Sequence, residues 1–177
     1  MKFTILFPAI LLILISSTLK AQTNNRELGL RFTSLNNYGF VYKKGLTENK
    51  YRRYTLGTFN FITASAESGT TIVNNASFSF GNEHRKAMSD NLKFIHGFEP
   101  TFALGYTYNN DGILMASAGL GYVLGFQYDF SPKFYLNIEA VPSFSLTYLG
   151  GMIISNAGFS TSGLAISMVH KFHKEVK

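Results

Sequence analysis

The chain has 177 residues, no cysteine and no tryptophan, and 15% of its residues are charged, against about 25% in a typical soluble domain. The length suits one domain, and the missing cysteines exclude a disulfide framework, a cysteine-based zinc site and a lipid-attachment cysteine. The formal net charge of +6 is compatible with nucleic acid or anionic lipid as a partner, and the distribution of the basic residues decides between them.

Residues 1–21 have the composition of a secretory signal peptide. A lysine at position 2 precedes an apolar run from Phe3 to Ile15. This run is shorter than the about 20 residues that a membrane-spanning helix requires. Small and polar residues then lead to Ala21, after which we predict cleavage, with an N-terminal membrane anchor as the alternative. The mature, exported domain is predicted to comprise residues 22–177.

Between residues 28 and 108, bulky apolar side chains recur at every second position, which is the period of a β-strand. Five strands are predicted here, the third with a bulge near Gly57. The predicted strands contain Leu28–Phe32, Tyr38–Tyr42, Tyr51–Ile62, Ala76–Phe80 and Phe94–Tyr108, and the predicted connections are the Asn36-Asn37 turn, Leu46–Lys50, a polar loop at Ala64–Asn74 and a charged turn at His84–Asn91.

The clearest pattern lies in residues 114–148, after an Asn-Asn-Asp-Gly hairpin turn. Even positions are mostly Leu, Phe, Tyr or Ala, and odd positions are mostly small or polar, on both sides of an Asp-Phe-Ser-Pro-Lys turn. These strands are longer than the 5–6 residues usual in soluble sandwiches, and their apolar face needs a cover, for which lipid is the simplest. A GxxxG pattern at Gly121–Gly125 suggests a packed membrane helix, but its apolar host segment is too short to span. A loop at Gly150–Ser160 and an eighth strand at Leu164–Phe172 complete the chain.

Eight strands of this kind predict an all-β fold, an eight-stranded antiparallel up-and-down transmembrane β-barrel. Closure is required because an open edge in lipid leaves backbone groups unpaired. The interior of such a barrel is filled by side chains. Outer-membrane barrels keep short turns in the periplasm, so we predict an outer-membrane location with both termini periplasmic.

This topology places the basic residues together at the periplasmic rim, as a ring near lipid phosphates. Outer-membrane lipid is therefore the predicted partner, and a nucleic-acid partner is not expected, since it would require basic and aromatic residues on one solvated face. The ring is predicted to contain Lys43, Lys44, Lys50, Arg52, Arg53, Arg85, Lys86, Lys93, Lys133, Lys171, Lys174 and Lys177.

Charged residues at odd positions are predicted to face the interior. Buried charges are costly unless paired, so we expect a charge network in the lumen, with Arg31 facing Glu139 or Glu99. An ion-paired plug that sets the barrel shape is one interpretation, and a path for protons or ions is the other. The odd-numbered set is Arg31, Lys43, Glu83, Glu99, Asp129, Glu139 and Lys171.

The sequence shows no catalytic or cofactor site. The four histidines, at positions 84, 96, 170 and 173, map to the periplasmic end, and no phosphate loop, metal-ligand cluster or hydrolase motif is present. We predict a protein that is not an enzyme and has neither cofactor nor metal. The apolar Gly150–Ser160 segment is interpreted either as an extension of the seventh strand or as a docking site with Met152, Ile153 and Ile154 as contacts.

The Ala21-Gln22 cleavage site, the segment YVLGFQYDFSPKFYLNIEA at Tyr122–Ala140 and a closing strand that ends in Phe172 together resemble the PorT-like outer-membrane β-barrel family and, more distantly, the OmpA/OmpX-type barrels. The resemblance implies a small barrel, and in some members a part in protein secretion. The resulting hypothesis is a structural or partner-binding barrel, with an envelope or secretion protein as partner. A small-solute channel and a lipid-modifying enzyme are the alternatives.

Overall fold

A computed structural model of the protein describes residues 25–34, 37–57, 60–66, 69–109, 111–158 and 164–172. The predicted signal peptide at residues 1–21 lies outside the described residues. Within them, no helix is long and apolar enough to cross a membrane. The strands are β1 (Arg26–Ser34), β2 (Asn37–Thr47), β3 (Lys50–Leu56), β4 (Asn60–Ala66), β5 (Gly69–Ala87), β6 (Leu92–Asn109), β7 (Asp111–Asp129), β8 (Phe134–Ala140), β9 (Ser143–Leu149), β10 (Met152–Gly158) and β11 (Leu164–Phe172).

These strands build a closed antiparallel barrel with eight wall positions. Eleven strands fill eight positions because three positions each hold two consecutive strands. Strands β3 and β4 both pair with β5, and β8 and β9 both pair with β7. In the third shared position, β10 pairs with β9 and β11 pairs with β8. The wall closes where β11 pairs with both β8 and β1. The predicted eight-stranded up-and-down barrel is therefore confirmed.

The pairing register shows how the strands are inclined. Following paired residues once around the wall from Phe102 on β6 leads back to β6 at Leu92, a displacement of ten residues (102 − 92). Such a stagger accompanies the strand tilt that closes a barrel. The path runs from Phe102 through Phe78, Leu56, Phe40, Leu30, Met168, Leu136 and Tyr128 to Leu92.

The two ends of the barrel differ. Arg26 pairs with Phe172 at one end, which we name the terminal end and which also holds the turns at 48–49, 88–91 and 130–133. The last described residues of β1, β4, β6 and β9 lie at the opposite end, which we name the hairpin end. The predicted turn Asp129–Lys133 joins β7 to β8 as expected. Asn36 and Asn110, which belong to the predicted Asn36-Asn37 and Asn109–Gly112 turns, lie outside the described residues.

The alternation of apolar and polar residues along each strand separates the outer face of the barrel wall from its inner face. Even-numbered apolar side chains are exposed on the outer surface, among them Phe102, Leu120 and Ile138, at 52%, 49% and 55% exposure. Most odd-numbered side chains from the same strands face the lumen, and those of the terminal half, such as Ile95, Val123 and Tyr135, are buried there. The outer wall is thus a nearly continuous band of Leu, Ile, Phe and Tyr, which is the surface that lipid would cover.

The predicted bulge near Gly57 is confirmed by a change of register. Leu56 pairs with Phe78, whereas Asn60 pairs with Asn75, so one extra residue is inserted between them. The Gly57 amide donates to the Ser77 carbonyl across this point at 2.7 Å. The bulge lets one barrel position continue from β3 into β4.

Four predicted connections were wrong in extent, among them the charged turn at His84–Asn91, whose first four residues belong to β5. The Ala64–Asn74 loop is a hairpin, with β4 reaching Ala66 and β5 starting at Gly69, because its Thr, Ile and Val residues favour strands despite their polar neighbours. Leu46–Lys50 shrinks to a two-residue turn. The Gly150–Ser160 loop is a turn followed by β10, since Gly150 and Gly151, with φ of 53° and 91°, suit a tight type I′ hairpin turn.

Candidate functional site

The lumen holds a cluster of eight buried charges, which we name the plug. It contains four cations and four carboxylates, so its formal charge is zero. Burying ions without partners would cost several kcal/mol each, and every member has an ion-pair partner of opposite charge within 4 Å. The members are Glu27, Arg31, Lys43, Arg53, Glu83, Arg85, Glu99 and Glu139.

Arg53 on β3 lies at the centre of the plug. Its Nη2 is 2.9 Å from Glu139 Oε2 and its Nε is 2.9 Å from Glu99 Oε2. A longer contact of 3.4 Å joins Nη1 to Glu83 Oε2. One guanidinium therefore links carboxylates from β5, β6 and β8, which lie on different sides of the lumen.

The structure brings Arg31 to both of its predicted partners. Arg31 Nη1 lies 3.1 Å from Glu99 Oε1, and Nη2 lies 3.5 Å from Glu139 Oε2. Ser79 donates a hydrogen bond of 2.7 Å to the same Glu99 oxygen. Asn137 donates to Glu139 at 3.1 Å. Both carboxylates thus share hydrogen bonds and cations, as a stable buried network requires.

A second group of the plug surrounds Arg85. This guanidinium lies 2.6 Å from Glu27 and 2.7 Å from Glu83, and it stacks 3.6 Å above the ring of Tyr51. The Tyr135 hydroxyl donates a 2.6 Å hydrogen bond to Glu27. Because Glu83 also contacts Arg53, the two groups form one continuous network. Arginine suits this site because it can pair with carboxylates and stack on an aromatic face.

Asp129 and Lys171, also predicted to face inward, lie apart from the plug at the terminal end. Asp129 accepts hydrogen bonds of 2.9 Å from both Lys171 and Lys93, and Gln127 donates to it at 2.7 Å. These three ionic side chains close the lumen mouth at that end. They are only partly buried, so water screens them more than the plug.

Three members of the plug, Glu27, Arg53 and Arg85, were not predicted to lie in the interior. Arg53 and Arg85 were assigned to the basic ring at the rim, which is wrong, since their exposures are 0% and 5%. Lys43, placed both in the ring and in the interior, is likewise fully buried. Glu27 was not singled out. The missed signal was parity: all three missed residues are odd-numbered, like the interior residues that alternation identified.

Beyond the plug, the hairpin half of the lumen is open. A cavity of about 470 Å³, which we name the vestibule, has Arg31 and Glu99 at its floor. Its wall consists mainly of glycine and short hydroxyl side chains, including Thr55, Ser77, Thr101, Ser117 and Ser145. The predicted filled interior is therefore filled at the terminal half and hollow at the hairpin half.

The predicted contact residues Met152, Ile153 and Ile154 lie on β10. Their exposures are 61%, 77% and 46%. Ile153 pairs with Tyr148 of the outer face, whereas Met152 and Ile154 pair with Leu149 and Thr147 of the other face. Among the described strands, β10 pairs with β9 only. The three side chains therefore do not share one face, but they belong to one strand with a free edge.

The histidines of the described residues lie on the outer wall. His84 stacks on His96 with ring centroids 5.3 Å apart, and the Tyr122 hydroxyl is 3.2 Å from His96 Nδ1. His170 packs between Phe134 and Phe172. Within the described residues none of them bonds to an acid, and no group of three metal-ligating side chains is found there. Within the described chain, therefore, no acidic side chain orients the His96 ring beside the Tyr122 hydroxyl, as the third member of a catalytic triad would.

Comparison with protein families and with curated protein sequences finds no match. Among solved structures, the N-terminal β-barrel domain of Pseudomonas aeruginosa OprF superposes with a TM-score of 0.51 and 16% identity, over 86% of this chain and 100% of that one. The chain shares the fold of the small outer-membrane β-barrels. Ail, the attachment invasion locus protein of Yersinia pestis, matches at 9% identity and a TM-score of 0.48, over 84% of this chain and 97% of that one. At 16% identity, the likeness to the OprF domain shows the fold alone, which is the fold expected of an OmpA-type small barrel, and no comparison supports the PorT-like family specifically.

Proposed function

We propose that this protein is an integral outer-membrane β-barrel with a structural and partner-binding role, and that it is not an enzyme. The outer wall supports a lipid environment, because its apolar side chains surround a lumen that holds the charges. The hairpin end faces outward and the termini face the periplasm in this proposal. The plug gives the barrel a fixed cross-section, and the strands beyond it present a surface to a partner.

The observation that carries the partner-binding role is the free edge of β10. All seven residues of this strand are exposed, and its only pairing within the described chain is with β9. An edge of this kind presents unpaired backbone groups to which an extended segment of another protein can add as a further strand. Exposed Met and Ile side chains along the edge add apolar contact. An envelope protein, in line with the PorT-like resemblance one concerned with secretion, is the partner we propose.

The proposal is tested by photo-crosslinking in the native cell. A photo-reactive residue replaces Ile153 on β10, and the matched control carries it at Leu104, which is 63% exposed on the outer wall of β6. We expect a discrete protein adduct from position 153 and lipid adducts alone from position 104. A Ser155→Pro change on β10, which stiffens the edge and removes a backbone donor, should reduce that adduct. The same adducts from both positions would refute the partner-binding role.

The vestibule favours a small-solute channel as the second candidate. It would admit a polar solute from the hairpin end, but the eight charges of the plug lie across the remaining path. A channel therefore requires the plug to open. The lipid-modifying enzyme has less support, because the described histidines face outward without an acidic partner.

A further inference from the structure

We infer that the outer surface of the terminal end carries a one-sided binding site for the headgroups of anionic phospholipids. This inference deepens the proposed function, since it assumes a barrel in a bilayer. The site, which we name the basic face, consists of exterior cations on β1, β2, β3 and β5: Arg26, Lys44, Lys50, Arg52 and Lys86.

The register places these cations side by side. Arg26 pairs with Lys44 and Lys44 pairs with Arg52, so three positive charges follow one another directly across β1, β2 and β3. Lys50 pairs with His84 one row below. Like charges directly opposite each other destabilise a sheet. An anion bound from outside the barrel would offset this repulsion.

The residues that the structure describes supply no such anion. None of the five cations of the basic face has a carboxylate of the described residues within 4 Å, whereas Lys43, Arg53 and Lys171 in the lumen are all paired. Glu48, in the turn beside Lys50, is exposed and takes part in no ion pair of the described chain. The basic face is therefore an unneutralised positive surface, in contrast to the balanced plug behind it.

The depth of the basic face suits a lipid phosphate. The next row towards the hairpin end is apolar or aromatic and runs through Leu28, Tyr42, Tyr54 and Phe80. Tyr42 and Tyr54 stack with centroids 6.2 Å apart. The cations thus border the aromatic edge of the apolar band, where the headgroups of a bilayer lie.

The opposite wall has a different surface at the same end. There the exterior positions of β6, β7, β8 and β11 hold aromatic side chains rather than cations. Phe130 and Phe134 stack at 6.3 Å, and Phe94 contacts Phe126 at 5.7 Å. Among the described residues, the exterior cations are therefore concentrated on one wall instead of forming the predicted ring, of which Lys174 and Lys177 lie outside those residues. In the proposed orientation, this wall selects anionic phospholipids from the periplasmic leaflet.

The test is a titration of phosphatidylglycerol onto the folded barrel in neutral detergent, with bound lipid counted by native mass spectrometry. Wild-type protein should bind phosphatidylglycerol in preference to phosphatidylcholine, and less tightly as salt is added. Lys44→Gln with Arg52→Gln should weaken binding by about five-fold for each lost charge, as expected for a basic residue beside an anionic surface. The control is Lys133→Gln, which removes an exposed cation from the turn below the aromatic wall and should change binding less than about two-fold.

Three results would overturn the inference. Equal binding of the two lipids would show that headgroup charge is not recognised. An equal loss in Lys133→Gln would show that net charge, rather than the basic face, attracts the lipid. Competition by inorganic phosphate at the same concentration would assign the site to free phosphate. Each variant is first checked for folding by its heat-modified mobility in gels. Because lipid binding and crosslinking at β10 are measured separately, a failure of lipid binding would leave the proposed partner-binding role standing.

Discussion

Replacement of Arg53 by methionine should destabilise the barrel by about 3–5 kcal/mol, the range for breaking a buried ion pair by removing one partner. Arg53 is fully buried and contacts three carboxylates. Methionine keeps an unbranched chain in the lumen but removes the charge. The plug would then hold three cations against four carboxylates.

The structure indicates which carboxylate suffers most. After the change, Glu83 keeps Lys43 and Arg85 at 2.6 and 2.7 Å, and Glu99 keeps Arg31 at 3.1 Å and the Ser79 hydroxyl at 2.7 Å. Glu139 keeps only Arg31 at 3.5 Å and the Asn137 amide. A second change, Glu139→Gln, restores charge balance at three against three. It should therefore recover part of the loss, with a coupling of about 0.5–3 kcal/mol between the two sites.

The measurement is reversible urea unfolding of protein folded into phosphatidylcholine vesicles, followed by gel mobility and circular dichroism. The matched control is Arg52→Met, one residue earlier, which removes an exposed exterior cation and should change the unfolding free energy by no more than about 0.5 kcal/mol. If Arg53→Met and Arg52→Met unfolded alike, or if the effects of Arg53→Met and Glu139→Gln simply added, the plug would not be the cooperative network described above.

Three further predictions follow from other parts of the barrel. Leu120→Lys, on the outer wall near mid-depth, should cost about 2–4 kcal/mol in bilayers and much less in micelles that rearrange around it; equal losses in both would contradict a lipid-facing wall. Gly151→Val should destabilise the β9–β10 hairpin by about 1–2 kcal/mol, because the φ of 91° at this position disfavours a branched side chain. Gly150→Asn should be nearly neutral, and thermal unfolding measures both variants. Equal losses in the two variants would contradict this account of the turn. In planar bilayers the wild-type protein should show no steady conductance, while Arg53→Ala combined with Glu139→Ala should admit ions through the thinned plug; steady wild-type current would favour the channel instead.

The barrel could be predicted because a strand in lipid obeys a strict rule. Positions such as Leu120, Phe126 and Ile138 must be apolar, and their neighbours Gly121 and Gln127 must fit the lumen, so parity alone separates the two faces. The last strand was placed at Leu164–Phe172, with the bounds the structure gives. Segments outside the lipid need no alternation of apolar and polar residues. The polar composition of Ala64–Asn74 therefore predicted a loop where the structure has the β4–β5 hairpin.

The interior was harder to predict, because the position of a side chain along the barrel axis depends on the pairing register of the strands. The alternation of residues does not reveal that register. Arg53 and Arg85 lie near turns in the sequence, so they were placed at the rim. The stagger of the strands instead brings them beside Glu139 and Glu27 from distant strands. The tyrosines that cover Arg85, Tyr51 and Tyr135, have the right parity but no sequence feature that distinguishes them from girdle tyrosines.

The long-range pairing inside the lumen also constrains the order of assembly. Glu27 and Tyr135 are 108 residues apart, and Arg53 and Glu139 are 86 apart. A half-built, open sheet would expose these charges to hydrocarbon without their counterparts, at a cost that marginal stability cannot absorb. We therefore expect entry into the bilayer to coincide with the meeting of the first and last strands.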